Sequence, residues 1–282
     1  MAWLSSDGSR YLGRRERAVL RLFSSLRKRL QVRVRVDDRG RAATYVCETA
    51  MDAQRPLSLW VKEEGTMAWI DAEVRADDVF MDIGANIGIY SIAAALRTSG
   101  SGIVYAFEPH KVNSLALLRN VGANGLQDRV RVFSCGLSDR DGLFEFNYQA
   151  LASASSASQL GHRRVPGSEA EFVPVATEMI YGTSVDRLVE AGTIRPPTLV
   201  KIDVDGNELP ILRGMSRLLA GAARPRAVQV ELNVGEQDSI SAFLQEHGYA
   251  LASRHFTHEG KNALARGDAV EAIAHNAIFV PA

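Results

Sequence analysis

A short apolar segment that ends in a glycine-bounded turn constrains the fold of this chain more than any other feature. Residues 79–91 read VFMDIGANIGIYS; Val79–Ile83 has the length of a buried parallel strand, and apolar residues recur at helical spacing over Ile87–Leu96. A strand that enters a helix through Gly84 and Gly88 leaves backbone N–H groups open, and glycine lets a ligand approach closely. The turn therefore indicates nucleotide binding, although its spacing differs from the G-x-G-x-x-G of dehydrogenases.

A second apolar segment supports this interpretation. Ile103–Phe107 ends in Glu108, which lies 24 residues after Gly84. An acid at the tip of the second strand of such a unit accepts both hydroxyl groups of a ribose. The turn alone would also fit a structural role, but together with Glu108 it predicts a nucleoside-containing ligand.

From Val79 onward, strand and helix patterns alternate, which is typical of an open, mostly parallel sheet with helices on both faces. The last two strands have no good helix between them and indicate a C-terminal antiparallel hairpin. An added hairpin is expected to pair Leu143–Tyr148 with Glu171–Val175, and Ala150–Gly167, rich in Ser, Ala and Gly, is expected to form a mobile lid. The predicted strands are Val79–Ile83, Ile103–Phe107, Val130–Phe133, Leu199–Val204, Ala227–Leu232, Ala250–His255 and Asn276–Val280, and the predicted helices are Ile87–Leu96, His110–Asn120, Asn207–Leu219 and Ser239–His247.

The zero net charge of the chain hides a strong asymmetry, because residues 1–41 carry +8 and the remainder carries −8. A basic amphipathic helix is predicted over Tyr11–Leu30, followed by a hairpin of Val32–Val36 with Ala43–Cys47. The helix either docks on the protein by its apolar face or offers a surface for an anionic partner. A phosphorylated substrate, a carrier protein and an acidic membrane all remain open as that partner.

Length and composition are compatible with one large core and an appendage, since 46% of the 282 residues are hydrophobic. Cys47 and Cys135 do not suggest a disulfide framework, and no apolar run has the length of a membrane span. The N-terminal apolar stretch is too short for a signal peptide. We expect a cytoplasmic protein with a basic helix and small β cap over residues 1–70 and an α/β domain over residues 71–282.

Three acids lie close together at the predicted tip of the fourth strand. Leu199–Val204 carries Asp203 near its end, Asp205 follows in the turn, and Glu208 begins the next helix. Open α/β sheets bind ligands at the carboxyl ends of their strands, so this cluster indicates chemistry. Asp205 and Glu208 would also suit a helix N-terminus on electrostatic grounds alone.

Four motifs carry a family resemblance. VFMDIGANIGIYS, AFEPH, TSVDRLV and VKIDVDGNELPILRG occur in this order, and over roughly Asp71–Ala282 the chain resembles the FkbM family of S-adenosylmethionine-dependent methyltransferases. The last motif of that family typically reads I-D-V-E-G-x-E-x-x-x-L-x-G, from which this chain departs with Asp205 in place of Glu. The resemblance implies a Rossmann-like seven-stranded methyltransferase sheet and O-methyl transfer to a free hydroxyl of a small molecule or glycan, often a sugar or a polyketide-type product.

The resemblance also implies roles for individual residues. Glu108 would hold the ribose, and Asp203 would face the ammonium group of the cofactor or the substrate hydroxyl. The methionine side of the cofactor would lie along Asp82, Gly84, Ala85, Asn86 and Gly88, and the adenine near Ser134 and Cys135.

Methyl transfer to an alcohol needs a group that takes one proton, because the sulfonium already supplies the leaving group. The candidates are Asp203, His110, Glu208 and Asp205. His110 follows Glu108 and a proline at the mouth of the expected site, and it would equally suit a packing position at a helix N-terminus.

Mg²⁺ is a further possibility that we do not favour. Asp203 and Asp205 at one strand tip, with Glu231 and Asn233 at the next, would offer the hard oxygen ligands that this ion prefers. However, acids at these positions also bind a cofactor or a substrate directly.

Three rival functions remain. An NAD-dependent oxidoreductase would need the dehydrogenase glycine spacing or a Tyr-x-x-x-Lys pair, and the sequence has neither. A nucleic-acid methyltransferase would use the basic N-terminal helix, but the Asn/Asp-Pro-Pro-aromatic tetrad is missing, so nucleic acid is not the favoured partner. A non-catalytic binding module would keep the turn without a base, whereas several potential bases are present.

Overall fold

The computed structural model describes residues 13–29, 31–62, 64–165 and 170–282; Tyr11, Leu12 and Leu30 of the predicted basic helix and the last residues of the predicted lid, Pro166 and Gly167, lie outside these ranges. The elements that precede the main sheet are α1 (Arg14–Arg29), β1 (Val32–Asp38), β2 (Arg41–Cys47), α2 (Ala50–Leu57), α3 (Leu59–Lys62) and α4 (Glu64–Glu73). They are followed by β3 (Val79–Ile83), α5 (Ile89–Ala95), β4 (Ile103–Phe107), α6 (Lys111–Ala123), β5 (Val130–Phe133), β6 (Gly136–Leu137), β7 (Gly142–Tyr148), β8 (Gln159–Leu160), β9 (Ala176–Thr183) and α7 (Val185–Glu190). The C-terminal elements are β10 (Leu199–Ile202), α8 (Glu208–Arg213), α9 (Ser216–Ala220), β11 (Ala227–Leu232), α10 (Gln237–Glu246), β12 (Tyr249–His255), α11 (His258–Ala265) and β13 (His275–Pro281).

The main sheet has seven strands in the order β12-β13-β11-β10-β3-β4-β5. Neighbouring strands from β11 to β5 run parallel, and β13 lies antiparallel between β11 and β12. The predicted Rossmann-like, mostly parallel sheet with a C-terminal antiparallel hairpin is therefore confirmed. The carboxyl ends of β3, β4, β10 and β11 meet at one edge, where the glycine turn and the acids also lie.

A helix between β12 and β13 was not expected, and this part of the prediction is wrong. Helix α11 begins after Thr257, whose side-chain oxygen accepts a hydrogen bond from Gly260 N at 3.2 Å. Its sequence, HEGKNALA, is short and contains an early glycine, so the apolar periodicity is weak. The two strands still pair antiparallel across this helix.

The added strands form a separate four-stranded sheet in the order β6-β9-β7-β8. Strand β7 was predicted, but its partner is β9 and not Glu171–Val175. The reason is packing: Ile180 of β9 is buried with Phe144 and Phe146, whereas Val173 is 90% exposed and is followed by Pro174, which has no N–H for a ladder.

The predicted helix Asn207–Leu219 is broken into α8 and α9 around Gly214. A Cβ at this glycine would lie 2.1 Å from the carbonyl oxygen of Ser138. Asp186 then caps the second piece, because its carboxylate accepts from Arg217 N and Leu218 N, both at 2.9 Å.

The N-terminal hairpin and helices α2–α4 share an apolar core with one face of the main sheet. Tyr45 and Ile70 belong to the same buried cluster as Phe80 of β3. Two asparagines of α6 and the turn after it fix the hairpin, since Asn120 Oδ1 accepts from Val46 N at 2.8 Å and Asn124 Oδ1 accepts from the N–H of residue 44 at 2.8 Å. The hairpin contacts also hold α2 and α3 near the carboxyl ends of the strands. The separation of the chain into two units at residue 70 stays a prediction.

Helix α1 confirms the predicted basic helix over its described part, but its apolar residues are exposed rather than docked. None of the described helices combines the length and the apolarity that crossing a lipid bilayer requires.

Candidate active site

The turn after β3 brings two strand ends into close approach. Gly84 has φ +77°, and a Cβ at this position would lie 1.8 Å from the carbonyl oxygen of Asp203. The N–H groups of Gly84 and Ala85 both donate to the carbonyl of Phe107 at 3.0 Å. Glycine is required here because any side chain would separate β3 from the end of β10.

Substituting Gly84 with alanine is expected to lower the free energy of unfolding by about 2–4 kcal/mol, since the methyl group meets rigid backbone at a left-handed φ. Gly125→Ala is the matched control, because Gly125 has φ +65° and an added methyl group there would have nothing within 4 Å. Backbone strain alone should cost this control about 1 kcal/mol. Denaturant titration measures both, and equal losses would contradict the close approach of the two strands.

Glu108 lies at the predicted place, at the tip of β4 beside the turn. Its Oε2 accepts from Asn86 N at 2.7 Å and its Oε1 accepts from His110 N at 2.8 Å. Burial raises the pKa of Glu108 to about 7, against the effect of these two N–H groups. Each oxygen retains a lone pair that is able to accept from a ligand hydroxyl.

His110 is held in place by its own hydrogen bonds. Its Nδ1 accepts from Asn113 N at 3.3 Å and caps α6, while its Nε2 lies 2.8 Å from the carbonyl oxygen of Ala150 and 3.2 Å from Ser155 Oγ. Because a carbonyl only accepts, Nε2 carries the proton and the ring is neutral, and burial lowers its pKa. The geometry therefore indicates that His110 positions the segment after β7 through Ala150 and Ser155. It does not support a role for His110 as the general base.

Asp203 and Glu231 lie side by side at the tips of β10 and β11, because the preceding residues Ile202 and Val230 are register partners. A hydrogen bond joins the two carboxyl groups. The pKa of Glu231 is raised well above its ordinary value by the charge of Asp203 and by burial. Burial also acts to raise the pKa of Asp203, but the charge of Lys201 and the hydrogen bond from Glu231 outweigh it, so its pKa is lowered. Within this pair the pKa of Glu231 is raised and the pKa of Asp203 is lowered, so Asp203 is the more acidic of the two carboxyl groups.

Lys201 was missed by the sequence analysis, although a lysine inside the apolar strand LVKI was a sign of a buried charge. Its Nζ lies 3.4 Å from Asp82 Oδ1 and 3.4 Å from Asp203 Oδ2, and its side chain is 1% exposed. The second oxygen of Asp82 accepts from Ser91 Oγ at 2.5 Å. Burial acts to lower the pKa of Lys201, but the charges of Asp203 and Asp82 together raise it, so the ammonium stays charged.

Glu208 lies behind the turn that follows β10. It is not among the residues that line the cleft at the strand tips. Its Oε1 accepts from Val204 N at 3.1 Å and its Oε2 accepts from Gly206 N at 2.9 Å. Burial raises its pKa to about 8. This position shapes the turn that presents Asp203 and Asp205, and it does not support Glu208 as a general base.

A cleft runs along the strand tips in three adjoining parts. The middle part is lined by Glu108, His110 and Asn113, and the Oδ1 of Asn113 is buried without a hydrogen-bond partner among the described residues. The apolar end contains Cys135 but not Ser134, whose Oγ lies 2.5 Å from Ser114 Oγ. The charged end is lined by Arg55, Ser58, Lys62, Ala85, Tyr90, Lys201, Asp203, Asp205 and Glu231, while Gly88 and Asp82 lie behind the lining.

The segment of residues 150–158, part of the predicted lid, crosses this cleft. The carbonyl of Ser155 accepts from Asn86 Nδ2 at 2.8 Å and from Asn113 Nδ2 at 2.9 Å. Asp205 Oδ2 accepts from Ala157 N at 2.7 Å, so the acid that departs from the family pattern binds the segment directly. Its mobility stays a prediction, while its position as a cover is visible in the structure.

Arg55 of α2 was also missed by the sequence analysis. Its Nε and Nη2 donate to the carbonyl of Ala154 at 3.1 and 2.9 Å, and the guanidinium lines the charged end of the cleft. Helix α2 had no family motif, so nothing in the sequence connected this arginine with the strand tips.

The magnesium candidates lie near one another without forming a recognisable site. Asp203, Asp205 and Glu231 line the charged end, whereas Asn233 does not and instead donates to Glu231 at 3.5 Å. In the part of the chain that the structure describes, no group of three or more His, Cys, Asp or Glu residues could hold a metal ion. The cation that lies next to Asp203 is the ammonium group of Lys201.

The strand order, with its single reversed strand and a glycine turn beside a ribose-spaced acid, defines the class of Rossmann-like methyltransferases. Residues 82–251 match the sequence profile described as the Methyltransferase FkbM domain. The chain therefore belongs to the FkbM family of S-adenosylmethionine-dependent methyltransferases, and the predicted resemblance is confirmed.

Two methyltransferases of known name are similar to this chain in sequence. The hexuronic acid methyltransferase AglP of Haloferax volcanii is 29% identical over 211 residues, which cover 73% of this chain and 77% of the relative. The 31-O-demethyl-FK506 methyltransferase FkbM of Streptomyces tacrolimicus is 31% identical over 207 residues, which cover 64% of this chain and 76% of the relative. Among solved structures, the methyltransferase FkbM of Methylobacillus flagellatus KT aligns with a TM-score of 0.48 at 15% identity, over 81% of this chain and about half (51%) of that one.

Proposed function

We propose that this protein transfers the methyl group of S-adenosylmethionine to a hydroxyl oxygen of a sugar, a glycan or a polyketide-type small molecule. The observation that carries the proposal is the position of Glu108 beside the Gly84 turn, with Asp203 lining the same cleft. The two relatives, named for a hexuronic acid and for FK506, support an oxygen acceptor on such molecules.

The residues present fit the cofactor. Glu108 retains acceptor capacity for two ribose hydroxyls, and the orphaned Oδ1 of Asn113 offers a further acceptor in the same part of the cleft. Cys135 and its apolar neighbours would receive the adenine. At the charged end, Asp203 would face the ammonium group and Arg55 the carboxylate of the amino-acid portion. When bound, S-adenosylmethionine supplies an electrophilic methyl group with a good leaving group.

Asp203 would take the proton that the acceptor hydroxyl loses during transfer. The hydrogen bond from Glu231 would hold the Asp203 carboxylate in place as the acceptor hydroxyl approaches. Lys201 would keep the position of that carboxylate fixed through their ion pair at 3.4 Å. The segment over the cleft would exclude water from the reacting groups.

A cytoplasmic location belongs to the same proposal. Neither Cys47 nor Cys135 forms a disulfide, which is compatible with a reducing compartment. The magnesium ion stays outside the proposal, since the donor set near Asp203 already includes the Lys201 ammonium.

Replacing Glu108 with alanine is expected to weaken binding of S-adenosylhomocysteine by roughly 1.5–3 kcal/mol, because two hydrogen bonds to a charged acceptor are lost. Isothermal titration calorimetry measures the affinity, with Glu145→Ala on the exposed side of β7 as the matched control. Glu108→Gln keeps one oxygen acceptor and should lose less. Unchanged affinity in Glu108→Ala would place the ribose elsewhere.

The reaction is tested by following the release of S-adenosylhomocysteine across a panel of glycans and hydroxylated metabolites. A separate binding measurement compares S-adenosylmethionine with NAD, and tighter binding of NAD would contradict the proposal.

A further inference from the structure

Helix α1 has an apolar face, whose described side chains are exposed, and a basic face. Val19, Leu22, Phe23 and Leu26 follow the spacing of one helical face and are 48%, 60%, 57% and 43% exposed. The sequence of the helix, RRERAVLRLFSSLRKR, contains seven arginine or lysine residues and one acid. A contiguous exposed apolar stripe of this kind marks an interaction surface.

The basic character continues beyond the helix. Strand β1 begins at Val32, which is also exposed, and its exposed residues Arg33 and Arg35 add two further cations shortly after α1 in the sequence. The apolar stripe and these cations both lie in the N-terminal segment, before the part of the chain that matches the FkbM family.

The chemistry of the two faces distinguishes among partners. A nucleic acid would pair with the arginines but would leave the apolar stripe in water. An apolar protein groove would cover the stripe but would leave the net charge of +6 on the sixteen residues of α1 without a partner charge. An anionic phospholipid surface satisfies both, since it receives apolar side chains at the acyl boundary and binds cations at the headgroups.

We infer that α1 lies in the plane of an anionic phospholipid surface, with Val19, Leu22, Phe23 and Leu26 inserted and its arginines at the headgroups. The helix is about 24 Å long and too highly charged to span a bilayer, so the association is peripheral. Each cation near such a surface contributes about 1 kcal/mol, and the contribution falls with ionic strength.

The inference is tested by flotation of the full chain with vesicles of phosphatidylcholine alone and of phosphatidylcholine with one-third phosphatidylglycerol. We expect binding to the anionic vesicles and at least tenfold weaker binding to the neutral ones, with the difference reduced at high salt. The double variant Leu22→Asp/Phe23→Asp should lose anionic binding by more than tenfold, and Arg14→Gln/Arg21→Gln by several-fold.

Leu143→Asp is the matched control, because Leu143 is equally exposed but lies on β7, far along the chain from α1. All variants should keep the wild-type affinity for S-adenosylhomocysteine, so failure of vesicle binding is separable from failure of the proposed methyl transfer. Equal binding to both vesicle types, no binding to either, or binding to RNA with none to vesicles would overturn the inference.

Discussion

Replacing Lys201 with methionine is expected to lower the free energy of unfolding by about 3–5 kcal/mol. The change leaves Asp82, which is fully buried, and Asp203 without the ammonium that lies 3.4 Å from each of them. Chemical denaturation of the two proteins measures the loss. A buried carboxylate without a cation is costly even though methionine fills most of the volume.

Two further variants isolate the cause of this loss. Adding Asp82→Asn to Lys201→Met should recover a large part of the stability, because the uncompensated buried charge is removed. Lys261→Met is the control for loss of an ordinary ion pair, since Lys261 pairs with Glu64 at 3.0 Å on the surface, and it should cost less than about 1 kcal/mol. No recovery in the double variant would show that the charge pair is not the cause.

The charge of Lys201 itself should not change around neutrality. The pKa of Lys201 in the folded protein is raised above its ordinary 10.5, so its stabilising contribution is fully present below that value and is lost only as the pH rises through the folded pKa. In Lys201→Met the pKa values of Glu108 and Asp203 rise, because the charge of Lys201 lowers both in the wild type. Unfolding of the two proteins measured from about pH 6 to about pH 9 should therefore show a loss that grows as the pH rises.

Replacing Asp203 with asparagine is expected to lower turnover by about 10²–10⁴-fold while the protein remains folded. Asparagine keeps the shape of the side chain but cannot take a proton from the acceptor hydroxyl. The measurement is S-adenosylhomocysteine release with an acceptor found in the panel, together with calorimetry of cofactor binding. A fall in kcat larger than the loss of cofactor affinity would assign Asp203 to the proton rather than to the ammonium group alone.

Asp205→Asn and EDTA serve as the controls for this result. Asp205 binds the N–H of Ala157 in the segment over the cleft, so its variant should change acceptor KM more than kcat. EDTA should leave the wild type active, because the cation next to Asp203 is the Lys201 ammonium. Near-normal turnover in Asp203→Asn would contradict the proposed base, and loss of activity in EDTA would return the magnesium candidates to consideration.

The local elements of the site were predictable because their patterns are written in consecutive residues. Strands β3, β4, β5 and β11 have the predicted bounds, since parallel strands of a covered sheet are short, mostly apolar runs. Gly84 and Glu108 were identifiable for a similar reason: the turn needs a left-handed residue, and the spacing of a strand–turn–helix–strand unit fixes where the acid falls.

Residues that act through distant partners were not predictable in the same way. Lys201 is an isolated lysine in an apolar strand until strand pairing sets it opposite Asp82, which is 119 residues away in the sequence. His110 and Glu208 have the chemistry of a base, but the first is occupied by the loop carbonyl of Ala150 and the second by the N–H groups of its own turn.

The sequence by itself determined the seven strands of the main sheet along the chain, the glycine turn and the acids at the strand tips, because each depends on residue spacing and backbone preference within a few positions. The tertiary structure decided that Asp203 pairs with Lys201, which strand pairs with β7, and that Arg55 of α2 reaches the cleft. These outcomes depend on burial, register and charge across chain segments far apart in sequence, and no local pattern encodes them.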